Sequence, residues 1–180
     1  GGTWTNYPID NDGGYIGRYT SIGVDSNDKV HISYGNLNSW DLKYATNVAG
    51  SWSRSIIDDG GTGQAGMYSS LEIDSNDLIH VSYWGRNMDL KYASKSASGG
   101  TWSDQTVDWG SITGEWTSIA IDSNNKPWIS YVSETYDRLE LATKTGSSWG
   151  DSIVDSGSSG EIDYGTSIAI DSNDARHIVY

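Results

Sequence analysis

The sequence predicts an all-β fold, a β-propeller of four-stranded antiparallel blades, on three observations. A long segment recurs four times; apolar and polar residues alternate within short runs; and no stretch carries helical periodicity. The recurrence is plainest in TSIGVDSNDKVHISY from Thr20, SSLEIDSNDLIHVSY from Ser69, TSIAIDSNNKPWISY from Thr117 and TSIAIDSNDARHIVY from Thr166. Asp25, Asp74, Asp122 and Asp171 are equivalent, at spacings of 49, 48 and 49 residues. Four strands in a unit of about 45 residues is the signature of a propeller blade, with a solenoid of flat repeats as the competing architecture.

Each unit holds four runs. The first places Ile22 and Val24 on one face, with Leu71 and Ile73, Ile119 and Ile121, and Ile168 and Ile170 as counterparts. The turn DSND or DSNN follows, where Asp and Asn cap their own backbone and tolerate left-handed conformations, so a hairpin is expected. The second run alternates Val30, Ile32 and Tyr34 against His31 and Ser33. The third is DLKYAT from Asp41, repeated as DLKYAS from Asp89 and more loosely as RLELAT from Arg138. The fourth begins at Trp52, Trp102 or Trp149 and ends on Asp. The opening TWTNYPID (Thr3–Asp10) matches this fourth run, and Pro8 suits an outermost edge strand because proline donates no hydrogen bond to a central ladder.

The chain therefore divides into an outer strand and loop of a preceding blade (1–19), three blades (20–68, 69–116 and 117–165) and the first two strands of another (166–180). Propellers have four to eight blades, so the propeller is incomplete within this chain. Either the chain is a segment of a longer repetitive protein or several chains complete the ring; a segment is the expectation.

Composition narrows the function classes. The 180 residues carry a formal net charge of -13, which repels nucleic acid phosphates and anionic lipid. No apolar run approaches the roughly 18 residues of a membrane helix. There is no cysteine, and so no disulfide framework. The start, Gly1-Gly2-Thr3-Trp4, lacks methionine and reads as mature or excised sequence. Nine Trp and twelve Tyr without a single Phe favour half-wet surfaces, since both rings combine an apolar body with a polar tip. Together with the acidic balance, this composition points to a secreted or cell-surface protein.

The pattern IDSN-x-x-x-H-I-S-Y, D-L-K-Y-A-T, G-x-W resembles the BNR or sialidase-like propeller repeats, and the first hairpin also resembles NHL repeats. Sialidase-like blades carry an Asp box, Ser-x-Asp-x-Gly-x-Thr-Trp, between their third and fourth strands. KSASGGTW (Lys95–Trp102) keeps Gly99, Thr101 and Trp102 but has Lys95 and Ala97 where that box has Ser and Asp. The resemblance implies the fold and does not by itself imply activity.

The candidate sites follow from the repeat. His31, His80 and His177 share one position on the second strand, and Trp128 is the fourth equivalent. Rotation places them in different blades, so they are read as packing residues and not as metal ligands. The turn acids offer too few oxygens for the six to eight ligands of calcium. No metal and no cofactor is expected. Arg18, Arg54, Arg86, Arg138 and Arg176 fall on different strand types or loops, which argues against the arginine cluster of a sialidase. Glu115 and Glu161 lie in loops of one face and supply the carboxylate pair for the alternative, a glycoside hydrolase.

Function on a repeat scaffold concentrates where the repeats differ. Loops joining strand four to the next strand one, and strand two to strand three, share one face and vary. The opposite turns repeat DSN almost verbatim. Aromatic rings on the variable face, among them Tyr15 and Tyr164, lie beside polar residues that include Asp163. Tyr19, Tyr68 and Trp116 recur immediately before strand one and are read as packing between blades. Trp40, Trp84, Arg86, Trp109 and Tyr136 do not recur, and with Arg18 and Glu115 they form the expected ligand site. The expected function is an extracellular, non-catalytic recognition module for carbohydrate or another surface polymer, with a protein as a further partner class. The alternatives are part of a sialidase-like hydrolase or polysaccharide lyase, and a structural repeat whose open edge strands self-assemble.

Overall fold

The computed structural model describes residues 3–61, 63–157, 162 and 165–180. Strands β1 (Ile16–Val24), β2 (Val30–Asn36), β3 (Asp41–Thr46) and β4 (Ser53–Asp58) form the first sheet. The second contains β5 (Met67–Ile73), β6 (Leu78–Trp84), β7 (Leu90–Ser96) and β8 (Ser103–Asp108). The third contains β9 (Thr113–Ile121), β10 (Pro127–Ser133), β11 (Arg138–Thr145) and β12 (Ser148–Asp155). A two-stranded fourth sheet pairs β13 (Ser167–Ile170) with β14 (Arg176–Val179). All pairings are antiparallel between consecutive strands. The inner strands β1, β5, β9 and β13 lie side by side in that order, as blades of a propeller do.

The repeated DSN turn is a hydrogen-bonding device. Asp25 Oδ1 accepts from the backbone N–H groups of Asn27 and Lys29, each at 2.9 Å. Asp74, Asp122 and Asp171 do the same two and four residues onward. The last turn residue, Asp28, Asp77, Asn125 or Asp174, sits at a φ of 57 to 61°, a left-handed conformation that Asp and Asn accept. The same turns join the sheets. Ser26 N–H donates to Asp77 Oδ1 at 2.9 Å, and Ser75 and Ser123 reach Asn125 and Asp174 in the same way. Ser21, Ser70 and Ser118 on β1, β5 and β9 add a further link, as where Leu71 N–H donates to Ser21 Oγ at 2.9 Å.

At His31 and His177 the second strand's histidine bonds the other oxygen of the turn acid, and His80 Nε2 stands 3.4 Å from it. His31 Nε2 lies 3.2 Å from Asp25 Oδ2, and Trp128 Nε1 donates to Asp122 Oδ2 at 3.1 Å. His and Trp therefore interchange because each presents a ring N–H at that place. The position is polar in its requirement, which sharpens the packing role expected of it.

Apolar cores fill the spaces between sheets. One joins Leu42 and Tyr44 of sheet one to Leu71, Val81 and Tyr83 of sheet two. Another joins Leu90 and Tyr92 of sheet two to Ile119, Ile129 and Tyr131 of sheet three. Sheet one leaves its far side open, with Ile22 and Val24 65% and 56% exposed.

Two sequence expectations change. Residues 3–15 form no strand, and Trp4 is fully exposed where its counterparts Trp52, Trp102 and Trp149 are half-buried. In each complete sheet the fourth strand pairs with the third, and among the described residues no third strand stands beside this segment. The inner strands β1, β5 and β9 also begin ahead of the expected blade starts, and each carries a register shift near Tyr19, Tyr68 or Trp116. Those residues take φ values of 52 to 54°. Such a conformation costs a non-glycine residue about 1–2 kcal/mol, and ring contacts offset it. The Tyr19–Tyr68 and Tyr68–Trp116 centroids are 4.7 and 4.4 Å apart.

Asp25→Ala removes an acceptor from two backbone N–H groups and one buried ring nitrogen. A loss of about 2–3 kcal/mol in urea unfolding is expected. Ser26→Ala, which keeps the backbone N–H link to Asp77 and removes the exposed Oγ bond to Asp77 Oδ2 at 2.6 Å, is expected to cost under about 1 kcal/mol.

Candidate functional site

A tyrosine on each second strand, or in the case of Tyr180 just after it, donates its hydroxyl to the aspartate that ends the preceding fourth run. Tyr34 reaches Asp10 at 2.8 Å, Tyr83 reaches Asp58 at 2.8 Å, Tyr131 reaches Asp108 at 3.1 Å and Tyr180 reaches Asp155 at 2.6 Å. Around this fixed bond the charges differ from junction to junction. At the first, Lys43 and Arg54 face Asp10 and Asp12. At the second, Lys91 Nζ lies between Asp58 (2.9 Å) and Asp104 (3.0 Å). Burial works against the Lys91 ammonium, but these pairs outweigh it and raise its pKa. Burial likewise opposes the Asp58 carboxylate, yet Lys91, the Gly60 N–H and the Tyr83 hydroxyl hold its pKa below the usual carboxylate range.

The third junction is acidic. Glu140 stands where Lys43 and Lys91 stand, and it shares a recess of about 280 Å³ with Asp108, Asp151, Arg138, Trp109 and Tyr136. Burial pushes the Asp108 carboxyl up, and the charge of Asp151 adds to that while the Tyr131 hydroxyl opposes it. Burial also raises Glu140; Asp108 and Asp151 reinforce the shift, and Tyr131 and Arg138 work against it. The Arg138 guanidinium lies 4.9 Å from the centre of the Tyr136 ring.

A second hollow of about 580 Å³ adjoins it across the Trp109–Ser111 loop, lined by Met88, Asp89, Ile112 and Thr135. Burial, with Asp108 next, raises the Asp89 carboxyl. Trp109 belongs to both walls and is 70% exposed, and Tyr136 is 53% exposed. A further hollow of about 440 Å³, lined by Tyr7, Ile9, Ile16, Ile22 and Ile32, lies on the open side of sheet one. The corresponding sides of sheets two and three are covered by a neighbouring sheet, so that hollow is packing surface.

The structure gathers two of the seven expected ligand residues, Trp109 and Tyr136, at one recess. Trp84 is 7% exposed and closes off its ring, with Nε1 enclosed and without a hydrogen-bond partner, so it presents no face to solution. Trp40 is half-buried and its carbonyl accepts from Ala65 N–H at 2.9 Å, which ties the loop before β5. Arg86 is exposed beside Gly61 and Gly63, at the junction of sheets one and two. Arg18 lies on β1 with its guanidinium 5.6 Å from the Tyr15 ring centre. Glu115, on β9, is half-buried; burial and then the charge of Glu134 raise its pKa. Glu161, Asp163 and Tyr164 lie outside the described residues. Asp108, Glu140, Asp151 and Ser133 were missed, although the change from Lys to Glu in RLELAT was a readable signal.

No family model matches the sequence, and no curated protein matches it. Solved structures do. A fucose lectin from Kordia zhangzhouensis in complex with methyl-fucoside superposes with a TM-score of 0.51 at 14% identity, over 74% of this chain and 96% of the lectin. The SapL1 lectin in complex with alpha methyl fucoside gives 0.61 at 14% identity, over 88% of this chain and 53% of its own. A mutant of NanB sialidase from Streptococcus pneumoniae gives 0.55 at 15% identity, over 86% and 26%. The chain thus spans nearly all of the first, about half of the second and about a quarter of the third. These likenesses define the fold as a β-propeller of the kind seen in lectins and sialidases.

The raised Glu140 pKa sets a sign for stability. An acid whose folded pKa is raised penalises folding above that pKa, and the penalty vanishes below the unfolded value of about 4.3. Asp108, Asp151, Tyr131 and Arg138 are the charged or titratable groups that face it. Glu140→Gln is therefore expected to raise the melting temperature at neutral pH, with the gain disappearing below about pH 4 in thermal scans.

Proposed function

We propose that the protein is a secreted or surface-displayed, non-catalytic recognition module that binds carbohydrate on its variable loop face, at the junction of sheets two and three. One observation carries this reading: two exposed aromatic rings, Trp109 and Tyr136, flank a recess whose floor is polar. Ring faces pack on the C–H surface of a sugar, and carboxylates, a guanidinium and a hydroxyl bond its oxygens. The lectin neighbours, two of them solved with methyl-fucoside ligands, support a saccharide as the class of partner. The sialidase neighbour favours hydrolysis less, because Arg54 is committed to Asp10 and Asp12, and Arg138 and Arg176 lie on other sheets. The acidic, Trp- and Tyr-rich composition supports the extracellular setting.

A glycan array probed with the 180-residue chain tests it. Binding to a defined saccharide is expected, with Trp109→Ala and Tyr136→Ala each weakening it about tenfold, the scale of a lost aromatic anchor. Trp4→Ala, on the fully exposed opening segment, is expected to bind normally. An array without hits, or binding indifferent to both ring removals, overturns the reading.

A further inference from the structure

We propose that the recess between sheets two and three accepts a primary ammonium group carried by its saccharide, as in an amino sugar, at the place where the other junctions hold a lysine ammonium. The inference rests on the carbohydrate reading and names its ligand class.

The repeat itself is the template. At the junction of sheets one and two, Lys91 Nζ bonds Asp58 at 2.9 Å and Asp104 at 3.0 Å, 5.8 Å from the Tyr83 ring centre. At the next junction every partner of that ammonium is kept. Asp108 stands for Asp58, Asp151 for Asp104, and Tyr131 for Tyr83, with its hydroxyl on Asp108 at 3.1 Å. The ammonium is gone, because Glu140 occupies the lysine's position, and two residues earlier Arg138 stands where Asp89 stands, its guanidinium 4.9 Å from the Tyr136 ring centre at the wall of the recess. Glutamate is shorter than lysine and ends in acceptors, so the exchange removes a cation, adds an anion and leaves a recess of about 280 Å³.

A second observation is independent of the acids. Ser133 lines the same recess, is 0% exposed, and its Oγ has no hydrogen-bond partner. A buried hydroxyl left unpaired costs about 1–3 kcal/mol unless something bonds it. An ammonium brings three donors, which the two aspartates, Glu140 and Ser133 Oγ can accept between them. Charge-assisted bonds of this kind span about 2.7–2.9 Å. A calcium or magnesium ion demands oxygens at about 2.0–2.6 Å, and among the described residues no three His, Cys, Asp or Glu side chains converge to hold a metal. Trp109 and Tyr136 at the same recess supply surface for the sugar ring that carries the amine.

Calorimetric titration of the 180-residue chain with glucosamine oligomers, against the same oligomers N-acetylated, tests the proposal. The free amine is expected to bind about tenfold tighter, the scale of one lost charged hydrogen bond. Glu140→Lys rebuilds the Lys91 arrangement, so it should fold and abolish that preference. Asp151→Asn, on an exposed stretch of β12, should reduce the preference without filling the recess. The proposal is overturned by equal binding of the two oligomers, by a preference that survives both variants, or by calcium chloride alone binding the wild type and not Glu140→Lys. Equal binding that still depends on Trp109 removes this inference and leaves the carbohydrate reading standing. Failure of both oligomers, together with an array without hits, removes both.

Discussion

A hydroxyl handed from one sheet to an aspartate of the sheet before it is the interaction on which this propeller turns. A blade has two apolar faces and cannot bury either alone, so its stability resides in the junctions. The Tyr–Asp bond appears at all four junctions, from Tyr34 and Asp10 to Tyr180 and Asp155. It does two things at once. It satisfies a carboxylate at the rim of a core, where an unpaired one would be costly, and it fixes a sheet against the one before it or, at Asp10, against the opening segment. The aspartate is needed for position, and position does not depend on what else shares the junction.

That separation leaves the surrounding charges free to vary. The first junction pairs two acids with two bases, the second two acids with one lysine, and the third has Asp108, Glu140 and Asp151 facing Arg138. The first two are arranged to stabilise. The third holds carboxylates above their ordinary pKa in a partly enclosed recess, an arrangement that weakens the fold where it stands. Strain of this kind is tolerated where the scaffold is otherwise secured, and it concentrates at sites that meet a ligand. The exposed rings of Trp109 and Tyr136 stand beside it.

How much of this was legible in the sequence depended on how local its cause was. The DSN turn was legible because its hydrogen bonds run within five residues, from Asp25 to Lys29. The strand runs were legible by alternation. The opening segment was not, because TWTNYPID matches a strand in sequence while a strand needs a partner. Trp109 and Tyr136 could be picked out because they break the repeat, yet so does Trp84, and only the tertiary enclosure of its ring separates the three. Glu140 was visible as a departure from lysine. Its meaning was not, because the aspartate that lysine serves comes from the preceding sheet, 33 residues back in the case of Lys91 and Asp58.

The histidine column shows why repeats must be read by hydrogen bond as well as by hydropathy. His31 and Trp128 differ in volume, charge and polarity, and a packing argument treats them as a conservative apolar pair. The structure treats them as the same ring N–H delivered to the same aspartate oxygen, at 3.2 and 3.1 Å. By that standard Lys91 and Glu140 are the opposite case, since they occupy the same strand position yet exchange a donor for an acceptor. Repeat positions that keep their hydrogen-bond role belong to the scaffold. Those that invert it are Arg54, which stands where Asp104 and Asp151 stand and pairs with Asp10 and Asp12, and Arg138 and Glu140, which stand where Asp89 and Lys91 stand and line the recess beside the exposed rings. On a fold built from copies, function is sought where the donor and acceptor pattern is broken, and the exchange of Asp89 and Lys91 for Arg138 and Glu140 at the junction of sheets two and three is such a break beside exposed rings.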